Sequence, residues 1–107
     1  MHLLMKAEAI LRGGTATNGQ TALSLVNNVR SNRTTSPAWT TVTLDDLYAE
    51  RAREFTWECW RRNDMIRFGK YETTYGFKTN TDTYRRIFPI PTAAMNTNPK
   101  LVQNPGY

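Results

Sequence analysis

The chain has 107 residues, a net charge of +5 and a sequence pI near 9.7, with 39% hydrophobic and 21% charged residues. That length corresponds to one domain, and that composition to a globular chain rather than a disordered one. A single cysteine (Cys59) and a single histidine (His2) exclude an internal disulfide, a Cys-based metal cage and a nucleophile–His–acid triad.

The basic balance alone leaves nucleic acid and anionic membrane surfaces open as partners. Ten of the fourteen basic residues are Arg, the side chain suited to bidentate and stacked contacts, so buried ion pairs are an equally good use of them. No apolar run reaches the length of a membrane span. The opening "MHLLMKAEAILRGG" has Lys6 at its centre and no small-residue cleavage site, which reads as an amphipathic helix rather than a signal peptide.

Leu3, Leu4, Ala7, Ile10 and Leu11 recur at helical spacing and predict a helix over residues 2–12 that Gly13 and Gly14 stop. A second helix is predicted over 20–31, with Ala22, Val26 and Val29 on one face. The short gap predicts that the two form a hairpin, residues 1–31 in all. Residues 32–42, with Pro37 and several Thr, read as a loop. Thr43 and Asp46 form a capping box, so a third, long helix is predicted over 44–68, ending at Gly69. Residues 70–84 read as a variable polar loop, and the Pro-rich tail 85–107 as extended around Ile87–Pro91. The fold class is therefore mainly α: a helical hairpin, a long charged and aromatic helix, and an extended tail.

The third helix carries the puzzle. In "ERAREFTWECWRRNDMIRFGK", residues 50–70, ten of 21 side chains are charged, and Phe55, Trp57, Cys59, Trp60 and Phe68 are interleaved with them. A nucleic-acid face would segregate its positive charge, whereas Glu50, Glu54, Glu58 and Asp64 alternate with Arg here. Glu54 and Glu58 lie one turn apart on one element, with no opposing wall to make them a catalytic carboxylate pair. The remaining reading is structural: Arg51, Glu54, Glu58, Arg61, Arg62, Asp64 and Arg67 form ion pairs at three- and four-residue spacing along a buried helix, and Glu50 and Arg53 share that spacing. Glu58, beside Phe55 and one turn before Arg61 and Arg62, is expected to be the most sensitive of these charges.

This stretch resembles the "ER-x-x-E-[LF]-x-x-E-x-x-R-x-x-D-[LM]-I-R-[WF]-G-K" helix of the SusD/RagB family. The closing "FPIPTAAMNTNPKLVQNPGY" resembles that family's "PIP … NP-x-L-x-QNPGY" terminus, and "KAEAILR" followed by "ALSLVNNVRSNR" resembles its upstream helix pair. One departure stands out: the family often has Gly-His after the Glu matching Glu58, where this chain has Cys59 and Trp60. The resemblance implies the C-terminal part of a tetratricopeptide-like, non-catalytic protein with no cofactor and no metal. It implies an outward-facing lipoprotein of the outer membrane, with its lipid anchor upstream of these residues. Such a protein captures an oligosaccharide or other nutrient for polysaccharide utilisation and acts as the lid of a SusC-type, TonB-dependent transporter. Nucleic acid is not an implied partner.

Trp39, Tyr71, Tyr75 and Phe77 are the loop aromatics available for sugar stacking, and covering the core edge or a partner contact is the plainer role for them. The alternative function is a helical protein–protein interaction scaffold without glycan binding. The chain is expected to self-associate, because Leu4, Ile10 and Leu25 would lose the cover of upstream helices.

Overall fold

A computed structural model describes residues 2–107. Among them are five helices, α1 (His2–Leu11), α2 (Ala22–Ser31), α3 (Leu44–Glu54), α4 (Arg61–Arg67) and α5 (Thr92–Thr97), together with one 3-10 turn at Thr83–Arg86. No strand is present among the described residues; Tyr75 and Lys78 form an isolated antiparallel bridge. The fold is mainly α. No helix among the described residues is long and apolar enough to cross a membrane. The chain divides into two compact units, one up to Arg61 and one over Arg62–Tyr107.

The first unit holds the apolar core. Leu4 and Ala7 of α1 meet Ala22, Leu25 and Val26 of α2, with Leu47 of α3 and Phe55 closing the cluster. Leu4, Leu25, Val26 and Leu47 are at most 1% exposed, and each such side chain contributes roughly 1.5–3 kcal/mol on burial. The ends of α1 and α2 follow from local chemistry. At the end of α1, Gly13 turns left-handed (φ +100°), and the N–H groups of Gly13 and Gly14 return to the carbonyls of Ile10 and Ala9. This reciprocal pair satisfies carbonyls that the helix leaves open. Gly14 has no alternative, because a Cβ there would stand 2.7 Å from the Ala9 carbonyl oxygen. At the start of α2, Thr21 and Ser24 form a capping box. Lys6 reaches across the connection to Thr17 and Gln20, each at 2.7 Å. The core also corrects one expectation. Leu4 and Leu25 lie inside the hairpin rather than on its outer side, so they provide no sticky surface for self-association.

The long third helix is interrupted. α3 starts at the capping box of Thr43 and Asp46, as the sequence predicts, but ends at Glu54, and residues 55–59 form turns before α4 begins at Arg61. Two local causes act here. The Thr56 hydroxyl donates to the carbonyls of Ala52 and Arg53 at 2.8 and 3.0 Å, which occupies the end of α3. Trp57 and Cys59 then take left-handed backbone, φ +71° and +60°. Cys59 thus occupies the position where the family pattern places Gly, in a conformation that costs an L-residue roughly 1–2 kcal/mol. Its side chain is exposed, so little packing is lost on removing it. Cys59→Gly is therefore expected to stabilise the chain by up to about 1 kcal/mol after the added unfolded-chain entropy of Gly is subtracted. A urea titration of the two proteins checks this; a destabilised variant would mean that the turn is not held as described.

The second unit is poor in buried apolar groups: Asp64 and Met65 are its buried residues. Side chains bonded to backbone hold it instead, and the tail shows how. The Gln103 amide pairs with both backbone groups of Ile90, accepting at 2.8 Å and donating at 2.9 Å. Asn104 donates to the Phe88 carbonyl at 2.8 Å. Gly106 (φ +96°) turns the chain, so that the Tyr107 hydroxyl donates to the Ile87 carbonyl at 2.8 Å and its ring meets Tyr84 edge-on at 5.0 Å. From α4, Arg62 donates to the carbonyls of Arg85 and Arg86. The extended segment 87–91 has little ladder of its own, and these polar side chains take over that role. The tail is not extended throughout, since α5 begins directly after Pro91.

Candidate functional site

The charged side chains gather where α2, the loop 32–42 and α3 meet in the first unit. Glu50, 4% exposed, accepts from Arg30 Nη1 at 3.0 Å and from Arg53 Nε and Nη2 at 3.0 and 2.6 Å, all on Oε2. Glu54 takes a fork of N–H groups from Arg33, Nε on Oε2 at 2.9 Å and Nη2 on Oε1 at 2.8 Å. Trp39 lies among these groups, with the Arg30 guanidinium 4.2 Å and that of Arg53 5.9 Å from its ring centroid. The backbone of Trp39 is fixed in turn by Asn27, whose amide bonds both its N–H and its carbonyl at 2.9 Å. One asparagine thereby ties the loop to α2, and two arginines cover the indole.

Arg51 is buried at 2% exposure, its guanidinium 5.0 Å from the Phe55 ring. Arg61 lies 3.8 Å over the Tyr48 ring and donates to the Tyr48 carbonyl at 3.4 Å. In the second unit, Asp64 is 1% exposed and accepts from Arg67 at 3.0 Å, while Arg62 is engaged by the tail carbonyls and lies 4.0 Å from the Phe88 ring. Glu58 is the correction. It stands in the turn between α3 and α4, exposed, with no ion pair among the described residues. The break in the helix removes it from the apolar face, and Arg61 and Arg62 are occupied elsewhere. The pairs Arg30–Glu50 and Arg33–Glu54 were missed by reasoning along one helix, because their partners are 20 and 21 residues apart.

Among the loop aromatics, the structure separates two groups. Trp39 is half-buried under guanidinium groups, and Tyr71 donates its hydroxyl to the Arg85 carbonyl and lies near Arg62. Tyr75 and Phe77 stand in a tight reverse turn closed by mutual bonds of Tyr75 and Lys78, at 54% and 106% exposure. Lys78 braces that turn by donating to the carbonyls of Thr73 and Asn80. Trp57 is a further exposed aromatic, at 95%, that the sequence reading placed in a helix.

Hydrogen bonding sets the protonation of the carboxylates. Hydrogen bonds from Arg33 hold Glu54 below the ordinary carboxylate range; burial opposes the shift, and the Arg33 charge adds a smaller lowering. Asp46 is lowered by the hydroxyl and N–H of Thr43, Glu72 by Arg86, and Asp82 by Asn80 and then Arg85. A depressed native pKa adds stability that is complete above the unfolded value and is lost as pH falls through the native one. The melting temperature is therefore expected to stay level from neutral pH down to about pH 4–5, then fall with further acidification. Thermal melts across pH 2–7 check this; a chain that melts higher in acid would contradict the sign.

Among the described residues, no group of three His, Cys, Asp or Glu side chains is close enough together to hold a metal ion. The arrangement is one of internal fastening with two exposed aromatic turns, and the sequence comparisons fit that description. The sequence model of the SusD family matches residues 2–87 and 70–107, which together run through almost the whole chain. The starch-binding protein SusD of Bacteroides thetaiotaomicron is 34% identical over 113 aligned residues, which cover 97% of this chain and 20% of that protein. The chain spans about a fifth of the length of this relative. With the helix pair, the charged segment and the "QNPGY" clasp all inside the match, the chain belongs to the SusD family.

Proposed function

We propose that the chain contributes to non-catalytic capture of a glycan at the outer-membrane surface, beside a SusC-type, TonB-dependent transporter for which the whole protein acts as a lid. The observation that carries this reading is the family match along nearly the full chain, with a starch-binding relative at 34% identity. Within that protein this segment supplies scaffold and docking surface. Its charges are largely committed to internal bonds, and its exposed large apolar side chains, among them Trp57, Phe77, Phe88 and Val102, suit contact with further protein. A second copy of the chain could take the same contacts, so self-association belongs to this reading.

Sugar affinity needs several aromatic planes and hydroxyl partners arranged around one concave site. Here Tyr75 and Phe77 are the exposed planes of one braced turn, and one stacked ring contributes on the order of 1 kcal/mol. The chain by itself is therefore a weak binder of neutral oligosaccharides. The function is tested by deleting the coding sequence in the source organism and measuring growth on purified polysaccharides. Loss of growth on one polysaccharide, with growth on simple sugars retained, is the expected result. Unchanged growth on every polysaccharide the organism normally uses would overturn the reading.

A further inference from the structure

The first unit contains a pocket of about 460 Å³ lined by Arg30, Arg33 and Arg53, by Glu50 and Glu54, and by Thr34 and Ser36. Its volume is in the range of small-molecule sites, about 300–1,000 Å³. The pocket is not balanced in charge, since three guanidinium groups face two carboxylates. Nor is it balanced in hydrogen bonds. Arg33 uses Nε and Nη2 on Glu54, and Arg53 uses Nε and Nη2 on Glu50, which leaves Nη1 of each without a partner among the described residues. Arg30 uses Nη1 on Glu50; its Nε is buried and has no partner. On the acceptor side both oxygens of Glu54 are taken, and Glu50 receives all its bonds on Oε2, which leaves Oε1. Donors on positive groups thus outnumber open acceptors. The Thr34 hydroxyl bonds Ser36 Oγ at 3.0 Å and fixes a pair of hydroxyls at the same rim.

A neutral sugar would leave the charge excess in place, and the indole beside the pocket is already covered by Arg30, so stacking cannot be the basis of recognition there. We propose that this pocket binds a carboxylate carried on a hydroxylated frame, the chemistry of a uronic acid unit in an acidic oligosaccharide. The carboxylate takes the open guanidinium donors of Arg33 and Arg53 and cancels the excess charge, and its neighbouring hydroxyls meet Thr34, Ser36 and Glu50 Oε1. Charge-assisted bonds of this kind are the strong ones, and Arg supplies them with directional geometry. The assignment of the carboxylate to a glycan rests on the capture function proposed above; the pocket's preference for a hydroxylated carboxylate does not.

The test uses the whole chain, isotope-labelled, with the backbone amides and Arg Nε–H groups followed by NMR at constant ionic strength. Sodium glucuronate, sodium gluconate, methyl glucoside and sodium acetate are titrated in turn. Glucuronate is expected to shift the Arg30, Arg33 and Arg53 signals saturably, and acetate and methyl glucoside to shift them far less. Arg53→Gln, at a half-exposed position outside the core, is expected to weaken glucuronate about tenfold, the value of one charge-assisted hydrogen bond. Thr34→Val, which removes a hydroxyl without touching an ion pair, is expected to weaken it by a smaller factor. Gluconate binding equal to that of glucuronate supports the pocket and makes its source a free hydroxy acid, which removes the link to glycan capture. Methyl glucoside binding as tightly as glucuronate overturns the carboxylate proposal and leaves glycan capture standing. Absence of any saturable shift, or equal shifts with acetate, overturns the pocket itself.

Discussion

Glu50→Ala is expected to destabilise the first unit by about 3 kcal/mol, the cost of breaking one side of a buried ion pair. Glu50 is 4% exposed and is the acceptor for both Arg30 and Arg53. Without it the Arg30 guanidinium, on a side chain only 13% exposed, would lose the carboxylate it bonds. Breaking one side of a buried pair costs more than the pair contributes, because the other charge is left without compensation. Arg53 is about half exposed and recovers water, which keeps the expected loss at the lower end. Glu58→Ala is the control: its side chain is exposed in the turn, and the change should stay within about 0.5 kcal/mol. Thermal melts followed by circular dichroism compare the two. If both variants melt with the parent chain, Glu50 does not fasten α2 to α3.

Gly106→Ala is expected to open the C-terminal clasp, at a cost of about 2–4 kcal/mol to the second unit. A Cβ at this position would lie 2.5 Å from Tyr84 Cγ and 2.8 Å from Tyr84 Cβ, with the backbone at φ +96°. Tyr84 could move only by giving up its edge contact with Tyr107. The Tyr107 hydroxyl would then leave the Ile87 carbonyl, and the neighbouring bonds of Gln103 and Asn104 would loosen with it. Tyr107→Phe removes one hydrogen bond and keeps the ring, so about 1 kcal/mol is expected. Hydrogen exchange at the Ile90 amide, which donates to Gln103, reads the clasp directly. Exchange that is unchanged in Gly106→Ala would show that the clasp does not depend on this close approach.

Helices whose cause is local were legible in the sequence. The Thr43–Asp46 box and the Gly13–Gly14 stop act within four or five residues, and both appear in the structure as read. The end of α3 was not legible, because charge and apolar spacing continue through residues 55–60 as though the helix did. What ends it is one hydroxyl, that of Thr56, together with left-handed backbone at two residues whose side chains do not announce it. Only the Gly of the family pattern, at the position of Cys59, carried that signal. The ion pairs were legible where they run along one helix, as with Glu50–Arg53 and Asp64–Arg67. Those that join α2 and the loop after it to α3 depend on packing, which spacing in the sequence does not encode. The aromatics divide in the same way. Nothing local shows that Trp39 lies under two guanidinium groups while Phe77, at a turn, stays open to solvent.

The central claim is that the charged segment fastens elements of the first unit to one another through its ion pairs. A double-mutant cycle between Arg30 and Glu50 tests it most directly, using Arg30→Met, Glu50→Gln and the double variant in urea unfolding. The two groups meet at 3.0 Å with side chains 13% and 6% exposed, so a coupling of about 1–3 kcal/mol is predicted. A coupling indistinguishable from zero would contradict the account, because each charge would then be held by something other than its partner.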